Sequence, residues 1–211
     1  MYALIVIANP GKDSFSHAMA SVAFSVLNRA GFRTARHDLY EEQFNPVQPT
    51  GEEGNGMSDD PVVEAHCRDL TLADLILVFH PNWWSQPPAI LKGWVDRVFR
   101  LGTAYGYPGG VGFDGVPVGL LKAKRALVFN TSNTAPAREQ EVFGDPLENL
   151  WKTSIFHLCG VNDVVRRTYG PMSNSTAAHR ELWLNEVASL TVTAAQLVAA
   201  AGGFAAPERY R

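Results

Sequence analysis

The sequence predicts an α/β fold in which a doubly wound parallel sheet of about five strands carries helices on both faces. Short, almost wholly apolar runs recur along the 211-residue chain, and such runs are typical of strands buried on both faces of a parallel sheet. Amphipathic helical patterns lie between these runs. The chain therefore alternates strand and helix, and right-handed crossovers wrap such an alternation into a doubly wound sheet.

Three runs predict the central strands, and two more polar segments predict the edges. The central runs are YALIVIA (2–8), LILVF (75–79) and RALVF (125–129), which lack the period-2 alternation of half-exposed strands. The segments RTARHDL (33–39) and DVVRRTY (163–169) carry more charge, which suits edge strands.

Four helices are predicted from the spacing of apolar residues. The first begins near Ser14 or Ser16, either of which can cap it, and ends near Gly31. The second follows Pro87-Pro88, because proline suits the first turn of a helix. Further helices are predicted over about 146–159 and 175–200, and the Gly-, Pro- and acid-rich residues 44–61 are predicted to form a surface loop.

Composition narrows the classes of function. A formal net charge of −3 offers no basic surface to a polyanion, so nucleic acid is not expected as a partner. Cys67 and Cys159 lack CxxC spacing and are expected to be reduced thiols of a cytoplasmic protein, with no metal site. The N-terminus lacks a basic region, and no apolar run approaches the roughly 18 residues of a membrane span. We expect one domain, residues 1–211, without membrane insertion.

The predicted topology places a ligand site before any motif is considered. Open parallel sheets bind ligands beyond the carboxyl ends of their strands, at the point where the strand order reverses. In the order 2-1-3-4-5 this point lies beside strands 1 and 3. The loops that leave strands 1, 3 and 4 cover residues 9–17, 80–88 and 130–139.

The first of these loops has the chemistry of an anion site. Asn9, Lys12, Ser14 and Ser16 precede or begin a helix, and hydroxyls, backbone N–H groups and a helix N-terminus together favour phosphate. The loop contains neither the P-loop nor the Rossmann glycine pattern. Helix capping alone would explain either serine, so the phosphate assignment depends on the other two loops.

The other two loops supply a flat apolar wall and a polar edge. Pro81, Trp83 and Trp84 offer planar surface, although tryptophans of this kind also occur in cores and dimer contacts. Residues 130–133 offer amides and hydroxyls, although an ordinary turn has the same composition. Together the three loops predict a flavin site. His80 is the titratable group of the aromatic loop, but a satisfied histidine at a strand end is the plainer interpretation.

Longer stretches resemble the NAD(P)H:quinone oxidoreductase family, the flavodoxin-like group that includes DT-diaphorase and bacterial modulators of drug activity. PPAILKGWVDRVF (87–99) resembles its signature helix, and SFSHAM (14–19), DLYEEQFNP (38–46) and GTAYGY (102–107) resemble it as well. The resemblance implies a flavodoxin-like homodimer with FAD, or alternatively FMN, at the subunit interface. It also implies that NAD(P)H reduces the flavin and leaves, and that a quinone-like acceptor takes the electrons from the same pocket.

The resemblance implies roles for individual residues. Ser14, Phe15 and Ser16 match positions that hold the flavin phosphates, and Arg180 roughly matches an arginine near the adenine end of FAD. The segment along the isoalloxazine ring is matched by Pro81, Asn82, Trp83 and Trp84, and the residues that bond its pyrimidine edge are matched by Asn130, Thr131, Ser132 and Asn133. Tyr105 and Tyr107 match tyrosines that cover the acceptor site from the other subunit, and they are candidate catalytic residues together with His80.

The chain also departs from the family. The stretch 134–145 lacks the Tyr and His that mammalian-type members carry, Phe143 stands at the position of that His, and Asn9 replaces a histidine near the phosphates. These changes leave the acceptor open. Two other functions stay open: a regulatory subunit of a potassium-efflux transporter, as some relatives are, and a one-electron carrier, which the charge of −3 and the AILKGW helix disfavour.

Overall fold

The computed structural model describes residues 1–52, 57–108 and 115–203, and its centre is a five-stranded parallel sheet. The strands are β1 (Tyr2–Ile7), β2 (Arg33–Asp38), β3 (Leu75–Pro81), β4 (Tyr105–Gly106), β5 (Val118–Gly119), β6 (Arg125–Thr131) and β7 (Val164–Tyr169). The sheet has the order β2-β1-β3-β6-β7, while β4 and β5 pair with each other outside it. The predicted fold and order are therefore confirmed, because β6 and β7 are the fourth and fifth strands of the sheet along the chain.

The side chains of the central strands divide between two apolar layers, because neighbouring residues of a strand face opposite sides. The layers contain, respectively, Leu4, Ile76 and Val128, and Ile5, Leu77 and Phe129. All of these side chains are buried. The apolar runs of the sequence lack alternation for this reason.

Helices cover both faces of the sheet. They are α1 (Phe15–Arg29), α2 (Pro61–Leu72), α3 (Ala89–Val98), α4 (Pro136–Phe143), α5 (Pro146–Asn149), a π-helical segment (Leu150–His157) that continues α5, and α6 (Ala177–Gly203). The first layer packs under α2, α3 and the π-helical segment, and the second under α1 and α6. Ser14 caps α1 by accepting the N–H of His17 at 3.4 Å, as predicted.

Several elements differ from the sequence prediction. The predicted helix over 146–159 is a single α-helical turn that changes to π-helical geometry at Leu150. The structure also contains two helices that the sequence analysis does not predict, α2 and α4. Asp60 caps α2 by accepting the N–H of Val62 at 2.9 Å, and Pro136 begins α4.

The segment 44–61 is fastened to the protein over its described residues. The Arg97 guanidinium on α3 donates to the Glu52 carboxylate at 2.6 and 2.8 Å and to the Asn45 carbonyl oxygen at 2.6 Å. Arg97 is 3% and Glu52 6% exposed. The segment is a surface loop as predicted, since most of its described residues are exposed, and a buried ion pair holds it to α3.

One described helix, α6, meets the length and composition of a membrane span. An 18-residue window within Ala177–Ala201 has a mean hydropathy of 1.2, and 28% of that window is buried. The search for uninterrupted apolar runs in the sequence does not detect this helix, because polar residues interrupt it. In the structure Val187, Ala194 and Val198 of this helix pack into the second core layer.

Candidate active site

A cleft of about 750 Å³ lies beyond the carboxyl ends of β3 and β6, at the predicted edge of the sheet but one strand away from the predicted switch point between β1 and β3. Its size is that of a small-molecule site. Its lining is Pro81, Asn82, Trp83, Trp84, Ser85, Thr131, Ser132, Asn133, Thr134, Glu139, Phe143, Pro146 and Met172. Two of the three predicted loops therefore meet here, because the Asn82 N–H donates to the Thr131 carbonyl oxygen at 2.6 Å.

The aromatic wall of the cleft is a tight turn, residues 83–86, which we call the tryptophan turn. Trp83 and Gln86 exchange two backbone hydrogen bonds of 3.0 Å. Trp84 and Ser85 between them have φ angles of 56° and 57°, a left-handed conformation that is costly for an aromatic residue. Trp84 is also 98% exposed. Strain and exposure at one aromatic residue indicate a functional site, since neither serves folding.

Of the four residues predicted to form the polar edge of the site, 130–133, three line the cleft. Thr131, Ser132 and Asn133 all line the cleft. Asn133 accepts the N–H of Ser173 at 2.9 Å through its side-chain oxygen, which orients the amide. Asn130 is 0% exposed and lies behind the cleft wall, so the structure argues against a direct contact between Asn130 and a ligand.

Both polar atoms of the Asn130 side chain form hydrogen bonds within a buried network. Its Nδ2 donates to His80 Nε2 at 2.6 Å, and its Oδ1 accepts from Arg166 at 2.8 Å. Trp151 of the π-helical segment donates to the same His80 nitrogen at 3.0 Å. The opposite ring nitrogen, Nδ1, lies 2.8 Å from the Pro81 carbonyl oxygen. His80 is therefore a neutral ring that carries its proton on Nδ1.

His80 is not placed to act as a catalytic residue. It is 0% exposed, and burial lowers its pKa to about 3, with the Arg166 charge acting in the same direction. The Arg166 guanidinium behind it is bonded to Glu148 at 2.9 Å and to Asp145. The network thus joins β3, β6 and β7 to α5 and the π-helical segment behind the cleft.

The predicted phosphate loop lies at the N-terminus of α1. Ser14 Oγ is 2.8 Å from His17 Nδ1, and His17 Nε2 is 2.7 Å from the buried Asp38 carboxylate. Asn9 donates to Ser16 Oγ at 3.3 Å and accepts the Gly11 N–H at 3.0 Å. The hydroxyls of both serines are thus engaged within the protein, and what the loop offers to an anion is the helix N-terminus itself.

The far end of this loop is joined to α6 by aromatic contacts. The Phe15 ring packs against Trp183 at a centroid distance of 5.8 Å. A recess of about 190 Å³ beside it is lined in part by Ser175, His179 and Trp183. Arg180 lies at this place and donates to Ser175 Oγ at 2.8 Å. Phe15 and Arg180 each contact a residue that lines this recess, and the roles that the resemblance implies for them stay predictions.

Tyr105 and Tyr107 lie outside the cleft. Their rings pack edge to face at 6.3 Å, and both line a separate recess of about 280 Å³ with Phe99, Ile155 and Cys159. Burial, and then the neighbouring Tyr107, raises the pKa of Tyr105. Within one chain these tyrosines therefore do not face the tryptophan turn.

Residues of α4 and its surroundings complete the cleft and were not predicted as site residues. Phe143, noted in the sequence only as a substitution, is 50% exposed and lines the cleft with Pro146 and Met172. Glu139 of the same helix is 5% exposed and accepts from Ser85 Oγ at 2.5 Å. A glutamate in a polar eight-residue helix carries no sequence signal of burial.

Among the described residues, one cluster has the spacing of a metal site: atoms of His37, Glu42 and His66 lie within 4.8 Å of one another. Trp94 Nε1 donates to His66 Nδ1 at 2.8 Å, so the ring proton of neutral His66 is on Nε2, facing Glu42. A metal at Nε2 would displace that proton while a donor still faces Nδ1. The geometry is therefore that of a hydrogen-bonded network.

A family model described as the flavodoxin-like fold matches residues 1–189. The chain belongs to this flavodoxin-like family. An uncharacterized NAD(P)H oxidoreductase from Haemophilus influenzae is 34% identical over 173 residues, which are 79% of this chain and 82% of that protein. Rat NAD(P)H dehydrogenase (quinone) 1 is 31% identical over 181 residues, which are 75% of this chain and 64% of the rat protein.

Two solved structures share the fold of this protein over nearly the whole chain. Smu.1420 from Streptococcus mutans has a TM-score of 0.78 and 27% identity, covering 92% of this chain and 100% of that one. The NAD(P)H:quinone oxidoreductase of Methanothermobacter marburgensis has a TM-score of 0.75 and 24% identity, covering 92% and 96%. These comparisons confirm the resemblance seen in the sequence, and they place this flavodoxin-like chain among the NAD(P)H oxidoreductases.

Proposed function

We propose that the chain is an NAD(P)H-dependent flavin oxidoreductase that reduces quinones or related acceptors, and that the cleft holds the isoalloxazine ring. The observation that carries the proposal is Trp84, an exposed indole in a strained turn that faces a cleft lined by small polar groups. A flavin, when bound, supplies the hydride and electron chemistry. The protein has to orient the ring, exclude water and place donors beside it.

The residues of the cleft divide these tasks. Trp83 and Trp84 provide a flat face against which an aromatic ring stacks. Thr131, Ser132 and Asn133 provide hydroxyl and amide donors toward the opposite edge, where they stabilise negative charge on a bound ring. The N-terminus of α1, beginning at Phe15, binds phosphate oxygens through its backbone N–H groups.

We propose FAD as the cofactor, with FMN as the alternative. The recess lined by His179 and Trp183 lies beyond the phosphate loop, beside Phe15 and Arg180. Aromatic faces and a cation beside this recess suit a second flat group, joined to the first through a diphosphate, which FAD has and FMN lacks. Against this, an azoreductase of Bacillus anthracis with the same fold was solved with FMN, although its identity of 16% carries the fold alone.

We further propose that the protein acts as a homodimer in the cytoplasm. The recess that Tyr105 and Tyr107 line also contains Phe99, Ile155 and the exposed Leu158. A second copy covering this face would bring the tyrosines toward the partner's cleft. Cys67 and Cys159 are buried free thiols, which is consistent with a reducing compartment.

Spectroscopy of the purified protein tests the proposal. The protein should take up FAD, with quenching of its fluorescence, and release an intact cofactor on denaturation whose mass decides between FAD and FMN. Mixing with NADPH and with NADH in a stopped-flow instrument should bleach the flavin, and a small benzoquinone should restore its colour. A protein that binds neither flavin, or whose flavin neither nicotinamide reduces, would refute the proposal.

A further inference from the structure

Glu139 is a buried carboxylate without a cation in its surroundings. It is 5% exposed and lines the cleft. Within residues 1–52, 57–108 and 115–203 no Lys, Arg or His lies within ion-pair distance of it, and its side chain has one hydrogen-bond partner, Ser85 Oγ at 2.5 Å. Burying a carboxylate in this way is costly, and its one described side-chain contact is with the tryptophan turn.

The partner of Glu139 is the most strained part of the cleft. Ser85 follows Trp84 in the tryptophan turn, and both residues have positive φ. The backbone hydrogen bonds of the turn are local, between Trp83 and Gln86. The Ser85–Glu139 bond therefore links the turn to α4, which also lines the cleft.

We propose that Glu139 is a positioning residue that holds the tryptophan turn in its strained conformation, so that Trp84 presents a fixed indole face to the ring bound in the cleft. This rests on the proposed function. The bond offsets part of the backbone strain of the turn, and a side-chain oxygen at position 139 is enough to accept it. It also ties together two elements that line the cleft.

A set of variants separates this role from a proton-transfer role for the same carboxyl group. Glu139→Ala removes the acceptor and Ser85→Ala removes the donor. Glu139→Gln keeps an oxygen that accepts the Ser85 hydroxyl but cannot carry a proton. Glu141→Ala is the control, since Glu141 lies on the same helix and is exposed.

The affinity for flavin, the KM for a small benzoquinone and kcat are measured across pH for each variant. We expect Glu139→Ala and Ser85→Ala each to weaken flavin retention about tenfold, and the double variant to be no worse than either, because one bond is lost in all three. Glu139→Gln and Glu141→Ala should resemble the wild type. A Gln variant as defective as Ala, an unaffected Ser85→Ala, or losses that multiply in the double variant would overturn the proposal.

A readout without flavin keeps this result distinct from the proposed function. Protein labelled with 5-fluorotryptophan gives a fluorine resonance for Trp84, which is assigned by its loss in Trp84→Phe. The resonance should shift or broaden in Ser85→Ala and Glu139→Ala and stay unchanged in Glu139→Gln. If it does so in a protein that binds no flavin, the positioning role stands and the oxidoreductase proposal fails; if it is unchanged in all three variants, the positioning role fails.

Discussion

At the scale of single residues, Trp84 shows a conflict between local backbone preference and a role in the cleft. Its φ of 56° suits glycine and costs an aromatic residue about 1–2 kcal/mol. We expect Trp84→Gly to raise the free energy of unfolding by about 1 kcal/mol relative to Trp84→Ala, because both lose the ring and only glycine relieves the strain. Urea unfolding at 25 °C measures the difference.

Flavin retention should not follow the free energy of unfolding in these variants. Both Trp84 variants should hold FAD more weakly than the wild type, and more weakly than Trp83→Ala, because Trp84 lines the cleft and is 98% exposed, whereas Trp83 is only 44% exposed. Stacking accounts for about 1 kcal/mol beyond lost area. Full retention in the Trp84 variants would show that the turn is not a wall of the flavin site.

Which residues of a loop reach the cleft could be predicted only in part. Pro81 and Thr131 are partners in the β3–β6 register, and so are His80 and Asn130. Because side chains alternate along a strand, the first pair faces the cleft and the second faces Trp151 beneath the sheet. Counting this alternation from the buried strand would have removed His80 and Asn130 from the list of ligand contacts.

At the scale of elements, the sequence predicted the strands but not two of the helices. The central strands are continuous apolar runs, whose burial follows from composition alone. α2 carried usable signals, a capping Asp60 followed by Pro61 and buried Val63, Cys67 and Leu70 at helical spacing. α4 has proline in its first turn and glycine at its end, but it has no apolar stripe, because its one buried residue is Glu139, whose burial comes from a contact distant in sequence.

The contact between α3 and the segment after β2 provides a test at this scale. Arg97 and Glu52 have side chains that are 2% and 6% exposed, and the hydrogen bonds from Arg97 lower the pKa of Glu52. We expect Arg97→Met to reduce the free energy of unfolding by about 3–5 kcal/mol, because it leaves a buried carboxylate without its cation.

The double variant Arg97→Met, Glu52→Gln supplies the control. It removes both charges, so most of the lost stability should return, and denaturant unfolding of the two variants side by side measures the recovery. Equal losses in the single and double variants would mean that packing around Arg97, and not its charge, fastens the segment. Glu64→Ala, which removes a partner of the half-buried Arg100, should cost less than Arg97→Met.

At the scale of the whole molecule, buried neutral histidines set the response to acid. His80 has its pKa lowered by burial to about 3, and burial also lowers the pKa of His66. Burial therefore favours the neutral form of both rings in the folded protein, whereas in the unfolded chain they protonate near the ordinary value of 6.5. Unfolding therefore takes up protons below pH 6.5, and stability falls as the pH falls from that value.

Other groups with shifted pKa values act mainly in other ranges of pH. Burial alone would lower the pKa of His37, but its bonds to Glu42 and Asp69 raise it, so His37 contributes stability that is present below pH 6.5 and lost as the pH rises through its folded value. Burial would raise the pKa of Glu42, but bonds from His37 and His66 lower it to about 2, so its contribution is present above about 4.5 and is lost as the pH falls from there toward 2. In the window between pH 6 and 5 the two buried rings therefore contribute most of the pH dependence.

We expect the free energy of unfolding to fall in that window with a slope between about 1.4 and 2.7 kcal/mol per pH unit, the values for one and two protons. Urea titrations at half-unit steps measure it. His66→Gln is the matched variant, because its amide oxygen can accept the Trp94 N–H and its amide nitrogen can donate to Glu42 without titrating. This variant should lower the slope by up to about 1.4 kcal/mol per pH unit, the value for one proton. A wild-type slope near zero would mean that the two rings are charged in the folded protein.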